Sequence, residues 1–474
     1  MNKNLSIFNI FILFSMIIPV LLLFFFNNKV ETLILPYCFA LFVTFIISTL
    51  IVILTKNKFY AKIYIITTFF HFLVGIFIQI LKYDILTLPT INGFAWIGID
   101  NDGWLYHSQA LELLNHSNDD VLFYSYIVFY IYKMFGINEF TACIVNCMLS
   151  GFIPVFTYIL AKNIGLNKFN SKILTYIIAF SLTISAYTTV LMRDVYIILL
   201  SLLIIFFYSK FAEKFKIKYL FITILFFILL CLFRAYAAGA VLCACIIAHF
   251  IKLAIFKIKK NLVYINKFTC LLFIFTFVIL VVCITFNSYL KLDYIISLFD
   301  MNTILQVSEI GYGGANSSFG VDRVALSHFL PLFLLFGYFC MFFAPFPHQW
   351  FLAHNIVQAF SIPETIFLYI IIFPSFFLGS IKGFKERNFI IMASFLYIIF
   401  VFTFYGMILD NSGAVFRGRA PFIPLLFLIS FYCPASLLKV ILEKCKNYAN
   451  MTKYRNNKKR IRDVNEAKLY KENI

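Results

Sequence analysis

Residues Ile7 to Phe26 read IFNIFILFSMIIPVLLLFFF, twenty positions without a charged side chain. About 20 apolar residues in a helix cross the ~30 Å hydrocarbon core of a bilayer. Similar runs recur along the chain, which has 474 residues, 62% of them hydrophobic and 13% charged, with a mean hydropathy of +0.93. Soluble domains are usually about 45–50% apolar and about 25% charged. The sequence therefore excludes a water-soluble fold and predicts an all-α polytopic membrane protein.

The positive charges indicate how the chain is oriented. The formal net charge is +18, and most cations lie in short connections between apolar runs, where the positive-inside rule places them in the cytoplasm. The excess of cations therefore predicts no nucleic-acid partner, and both termini are expected on the cytoplasmic side. The basic connections and tail cover residues 56–62, 162–172, 210–218, 252–267, 382–387 and 439–474.

About twelve spans satisfy the required alternation of sides. This division gives a transmembrane domain over 1–438, a basic cytoplasmic tail over 439–474, and two long outer loops over 83–138 and 289–361 that are rich in acidic residues. The predicted spans are 6–26, 32–55, 63–82, 139–161, 173–190, 195–209, 219–233, 236–256, 268–288, 362–381, 388–408 and 421–438.

Two apolar stretches do not fit this alternation as full spans. A span over 329–345 would put the cations at 382–387 outside, so a re-entrant or interfacial segment is predicted there. The stretch 121–135 is predicted to lie along the outer surface as an aromatic helix. Its tyrosines at the headgroup level would be Tyr124, Tyr126, Tyr130 and Tyr132.

Charges at the ends of spans mark candidate functional residues, because such positions are costly in a membrane. On this topology, charged residues from distant parts of the chain fall on the outer side, as they would around a cavity for a phosphate-bearing substrate. They are Asp100, Asp102, Arg193, Asp194, Arg234, Asp410, Arg417 and Arg419.

The first outer loop contains the sequence WIGIDNDGWLYHSQA over 96–110. A helix that starts near Asp102 places Asp102, Tyr106 and Ala110 on one face, with the carboxylate at the positive end of the helix dipole. Asp102 would then serve either as a helix cap or as a general base. Asp100 and Asp102 also form a D-x-D, which can chelate Mg²⁺ or Mn²⁺. No other metal site or cofactor is predicted.

This spacing resembles the GT-C superfamily of membrane glycosyltransferases, which includes protein O-mannosyltransferases and aminoarabinose transferases. In that superfamily the first outer loop carries an acidic residue followed four and eight positions later by Tyr and a small residue. Other similar segments are KMFG over 133–136, YILAK over 158–162, the pair Arg193-Asp194, and RGRAPFIP over 417–424. Gly103 stands where the family usually has Glu.

The resemblance implies a membrane-embedded enzyme. The Ile, Phe, Asn and Lys bias suits an A/T-rich bacterial genome and favours the bacterial cytoplasmic membrane, with the endoplasmic reticulum as the alternative. The enzyme would move sugar from a polyprenyl-phosphate or polyprenyl-diphosphate donor to a glycan, lipid or protein acceptor, with membrane lipids around it. Asp102 or Asp100 would be the catalytic base. The expected substrate-binding residues are Tyr106, His107, Arg193, Arg234, Arg323, Arg417 and Arg419.

Two other functions compete with this one. An envelope polysaccharide polymerase or ligase should depend chiefly on Arg and His in the later loop, Arg323 and His328. A transporter or lipid flippase would place paired acids at mid-span beside broken helices in matching halves. The sequence shows neither the paired acids nor the broken helices that a transporter would need. Either Arg234 or Arg417 could alternatively be a snorkelling anchor at the membrane interface.

The topology is tested by reporter fusions. Fusions after Asn118 and after Ser317 should be extracytoplasmic, because both loops are acidic, whereas a fusion after Lys385 should be cytoplasmic. Alkaline phosphatase and green fluorescent protein activities measure the two sides. An extracytoplasmic Lys385 would make 329–345 a true span and overturn the placement of every later loop.

Overall fold

The computed structural model describes residues 30–80, 90–91, 94–95, 101–115, 121–254, 330–344, 346–347, 356–409 and 412–448. The regular secondary structure of the described residues is helical except for two antiparallel strands of two residues each. The elements are α1 Val30–Thr55, α2 Lys58–Ile80, β1 Thr90–Ile91, β2 Phe94–Ala95, α3 Asn101–Leu114, α4 Phe123–Phe135, α5 Glu139–Ser150, α6 Phe152–Asn163, α7 Lys168–Ala179, α8 Leu182–Thr188, α9 Asp194–Lys214, α10 Ile217–Ala254, α11 Leu330–Phe343, α12 Ile356–Phe367, α13 Phe373–Lys385, α14 Phe389–Ile408, α15 Ser412–Arg419, α16 Ile423–Tyr432 and α17 over 436–448.

Eight helices in the described part of the chain are long and apolar enough to cross a membrane. The bent pair α7–α8 adds a ninth candidate if it counts as one span. This confirms an all-α polytopic membrane protein. The predicted spans 6–26 and 268–288 lie outside the described residues, and the total of about twelve stays a prediction. The eight candidates are Leu35–Thr55, Lys58–Ile78, Glu139–Asn163, Asp194–Lys214, Ile217–Lys252, Ile362–Lys385, Phe389–Ile408 and Ala414–Tyr432.

Helix α10 reverses direction at Arg234, where the backbone is non-helical with φ −161° and ψ 89°. Its first arm starts three residues after α9 ends and brings Phe233 onto Tyr196, near the start of α9, with ring centroids 4.5 Å apart. Its second arm returns to place His249 beside Phe215, just beyond the end of α9, at 5.9 Å. The two arms therefore correspond to the separately predicted spans 219–233 and 236–256.

The lysine-rich connections meet at one end of the bundle, called here the lysine end. The Lys172 ammonium lies over the Phe59 ring at 5.2 Å, and Lys210 donates to the Asn163 side chain at 3.5 Å. These contacts join the connections 56–62, 162–172 and 210–218, which the positive-inside rule assigned to one side. The opposite end, where Arg234 and the starts of α9 and α15 lie, is called the arginine end.

Helix α4 differs from the predicted surface helix because two of its tyrosines belong to the core. Tyr124 is buried and accepts a hydrogen bond from the Asn146 amide at 2.9 Å, and Tyr132 is buried against His107 with its hydroxyl 2.8 Å from Nδ1. Only Tyr130, at 57% exposure, is well placed for the headgroup level. The sequence pattern did not predict these polar contacts, because hydrophobic periodicity does not indicate the hydrogen-bond partner of a tyrosine hydroxyl.

Helix α11 covers the stretch that was predicted to be re-entrant or interfacial. Its fourteen residues rise about 21 Å, less than the ~30 Å of a bilayer core. It crosses α14 at two glycines, where a Cβ on Gly337 would come 2.6 Å from the carbonyl oxygen of Gly406. Small residues at such a crossing let helix backbones approach closely.

A methyl group at this crossing should force the two helices apart. We expect Gly337→Ala to lower stability by about 1–3 kcal/mol, the usual effect of overpacking. The control is Gly239→Ala, because a Cβ there meets no atom within 4 Å. Thermal unfolding of the purified variants in detergent measures the difference, and equal midpoints would show that the crossing is not tightly packed.

Candidate functional site

Four charged side chains form a continuous chain of ion pairs at the arginine end. Arg417 Nη2 lies 2.8 Å from Asp102 Oδ2 and 3.3 Å from Asp194 Oδ2. The other oxygen of Asp194, Oδ1, lies 3.7 Å from Arg234 Nη1. These residues come from α3, α9, α10 and α15, so the sequence-predicted convergence of distant charges is present in the structure. We call this set, together with Arg193, the arginine cluster.

Arg193, the residue immediately before α9, completes the cluster. Its Nη1 donates to the Phe233 carbonyl at 2.7 Å, and its guanidinium lies 5.9 Å from the Tyr106 ring centroid. The Phe233 carbonyl is available because the helix breaks at Arg234 and its usual acceptor role within the helix ends there. The reversal of α10 therefore positions Arg193 as well as Arg234.

Helix α3 places Asp102, Tyr106 and Ala110 as the spacing predicted. Asp102 lies in its first turn, while Tyr106 and Ala110, four and eight residues later, are both buried. The Tyr106 ring packs edge-on against Tyr124, with centroids 4.9 Å apart. This packing fixes the helix and holds the carboxylate of Asp102 toward Arg417.

Burial is complete at Asp194, in the middle of the ion-pair chain, and falls from there through Arg417 to Asp102 at one end. The exposed fraction of the side chain is 0% for Asp194, 10% for Arg234, 21% for Arg417 and 38% for Asp102. Burial by itself raises the pKa of the Asp102 carboxyl, but Arg417, with Arg193 and Arg234 behind it, outweighs burial and holds that pKa below its usual value. Asp102 is therefore ionised at neutral pH, at the accessible end of the cluster.

Two tyrosines that the sequence gave no reason to single out also belong to this site. Arg234 Nη1 donates to the Tyr405 hydroxyl at 2.6 Å, and that hydroxyl is hydrogen-bonded to Tyr236. Tyr236 follows Arg234 by two residues, which is its only sequence signal. Tyr405 lies in the apolar helix α14, and nothing in its local sequence indicates a polar role.

The cluster has more donors than acceptors. Three guanidinium groups face two carboxylates, a formal charge of +1, and the buried Nε atoms of all three arginines have no hydrogen-bond partner among the described residues. Arginine binds phosphate oxygens through paired N–H donors. The site is therefore suited to an anion that carries several acceptor oxygens.

Other predicted site residues lie elsewhere. Arg419 is fully buried on another side of α15, where its Nη1 donates to the Phe342 carbonyl at 2.9 Å. His107 contacts Tyr132 rather than an arginine of the cluster. Asp100 and Arg323 lie outside the described residues, so their roles stay predictions. No group of three or more His, Cys, Asp or Glu suited to a metal occurs in the described ranges, and the predicted D-x-D lies partly outside them.

A second buried polar cluster was not predicted. Helices α7 and α8 meet at 47°, and Glu364 enters the break, where it accepts the Ser181 hydroxyl at 2.6 Å and the Thr183 N–H at 2.8 Å. Arg419 attracts Glu364 electrostatically and keeps buried Nε and Nη2 atoms without a hydrogen bond to any described residue. The break was missed because it contains neither Gly nor Pro.

Comparison of the chain with protein-family models, with curated proteins and with solved structures gave no significant match. The interpretation of the arginine cluster therefore depends on its geometry and chemistry alone.

The buried carboxylate of Asp194 should be the most stability-sensitive member of the cluster. Asp194→Asn removes the charge between two arginines, and breaking a buried ion pair typically costs about 3–5 kcal/mol. Glu213→Gln is the control, since its pair with Lys210 is exposed at the lysine end and should contribute about 0–1 kcal/mol. Thermal unfolding in detergent compares them. Similar losses in both variants would contradict a central role for Asp194.

Proposed function

We propose that this protein is a membrane glycosyltransferase of the GT-C type that uses a polyprenyl-phosphate or polyprenyl-diphosphate sugar as donor. The observation that carries the proposal is the position of Arg417, whose guanidinium bridges the half-exposed Asp102 and the buried Asp194. An ionised carboxylate thus lies directly beside a cationic group suited to phosphate. A transfer from a lipid phosphate needs both groups at one place.

The chemistry follows from these two functions. The acceptor hydroxyl loses its proton to the Asp102 carboxylate, and its oxygen forms a bond to the anomeric carbon of the sugar. The bond between that carbon and the phosphate oxygen breaks, and the electron pair leaves with the lipid phosphate. Arg193, Arg234 and Arg417 would stabilise the negative charge that develops on this leaving group.

The orientation belongs to the same proposal. With the lysine end in the cytoplasm, the arginine end faces the outer side of the membrane, and both termini are cytoplasmic. We propose about twelve spans in a bacterial cytoplasmic membrane, with an outer glycan, lipid or protein as acceptor. Acceptor access from outside agrees with the position of Asp102 at the accessible end of the arginine cluster.

A transporter or lipid flippase is a second candidate, and the bent pair α7–α8 favours it. Transporters bind ions and substrates at breaks in their membrane helices. Here Glu364 occupies such a break and Arg419 lies nearby. No covalent transfer would then occur, so a transfer assay separates the two candidates.

The assay follows radiolabelled sugar from undecaprenyl-phosphate and undecaprenyl-diphosphate monosaccharides into acceptors of membranes that contain the protein. Asp102→Asn keeps the shape and can still cap the helix, yet the loss of a general base should lower the rate by about 10²–10⁴. Arg417→Lys should also lower donor use, because lysine lacks the planar paired donors. Arg387→Lys, an exposed position at the lysine end, is the matched control and should match wild type.

Asp100→Asn gives the internal comparison. A metal-binding D-x-D predicts severe loss in both aspartate variants with partial recovery in excess Mg²⁺ or Mn²⁺. If only Asp100→Asn is severe, Asp100 is the base. Normal transfer in both variants would rule out an aspartate of this loop as the general base. No transfer by wild type would rule out the glycosyltransferase and favour the second candidate.

A further inference from the structure

The carboxylate of Asp102 occupies a position that an anionic ligand would need. Arg417 Nη2 contacts Asp102 Oδ2 at 2.8 Å, its shortest ion pair, while Asp194 holds the same nitrogen from the buried side at 3.3 Å. Arg417 and Asp102 are both partly exposed, at 21% and 38%, whereas Asp194 is fully buried. An incoming anion therefore meets Arg417 beside the accessible Asp102 rather than beside the enclosed Asp194.

The two carboxylates differ in how easily they can be displaced. Asp194 is enclosed between Arg234 and Arg417, so moving it would leave the largely buried Arg234 without a carboxylate partner among the described residues. Asp102 has solvent beside it, and its ion pair is of the half-exposed kind that contributes little stability. An anion that enters the site displaces Asp102 and leaves Asp194 in place.

Arg193 supplies the attraction for such an exchange. Its guanidinium has no carboxylate partner among the described residues, and donates only to a backbone carbonyl. It lies close enough to Asp102 to act on the charge of that carboxylate. The site thus keeps one uncompensated positive charge next to a carboxylate that can move away.

We propose that the Asp102 carboxylate occupies the phosphate position on Arg417 in the free protein. It leaves Arg417 when the lipid phosphate of the donor binds there. Displacement frees the Asp102 carboxylate from its ion pair beside the bound donor, where it becomes a stronger base toward the acceptor hydroxyl. The proton acceptor is thus released only in the donor-bound state. This inference rests on the proposed function, since it assigns the order of events at the same site.

The proposal predicts a change of unusual sign. Asp102→Asn removes the competitor for Arg417, so it should bind undecaprenyl phosphate more tightly than wild type, with a Kd about 2- to 5-fold lower, the size expected of one half-exposed ion pair. A cap would leave the Kd unchanged, and a ligand to a bridging metal would raise it. Native mass spectrometry or a fluorescence titration of the full-length protein in lipid nanodiscs measures the Kd.

Controls separate the possible failures. Glu213→Gln makes the same change in net charge at the lysine end and should leave the Kd unaltered. Asp102→Ser, which can also cap the helix, replaces Asp102→Asn if that variant fails to fold. An unchanged or raised Kd in the aspartate variant overturns the displacement and leaves the proposed function standing. Equal binding by wild type and Arg417→Gln shows that the cluster holds no lipid phosphate, and overturns both.

Discussion

The arrangement of the arginine end depends on a carboxylate without exposed surface that lies between two guanidinium groups. Asp194 faces Arg417 with one oxygen and Arg234 with the other. A buried charge is tolerated only when it is paired, and here each group compensates its neighbours. Because the three residues belong to α9, α10 and α15, this pairing requires those helices to meet at one point. The same requirement fixes where α10 reverses direction and where α15 lies.

The reversal at Arg234 links the fold to the site. A helix of 38 residues would be far longer than a bilayer core is thick, so the chain must turn back. It turns at a cation, which stays at the arginine end beside Asp194 and Tyr405. The break also frees the Phe233 carbonyl for Arg193. One local departure from helical geometry therefore orients two of the three arginines.

The short helix α15 separates two polar environments. Arg417 lies in the arginine cluster and is partly accessible, whereas Arg419, two residues later, is enclosed with Phe342 and near Glu364. Side chains two residues apart in a helix point in nearly opposite directions, so one short helix can contribute to both clusters. The first cluster has the accessibility that a ligand requires. The second ties α15 to α11 and lies close to the break between α7 and α8.

Composition and local spacing were enough to predict the membrane character, the helical class, the lysine-rich connections and a set of charged residues that includes the arginine cluster. Each of these depends on composition or on spacing along one helix: long apolar runs, cations between them, and costly charges at their ends. The face shared by Asp102, Tyr106 and Ala110 follows from the helical period in the same way. The folded bundle was needed to show that Tyr405 joins Arg234, that Tyr124 and Tyr132 are buried, and that Glu364 bonds Ser181, 183 residues away along the chain. The hydrophobicity of an apolar run does not specify which distant helix will pack against it. The partner of a hydroxyl or carboxylate within such a run is therefore fixed only when the helices pack together.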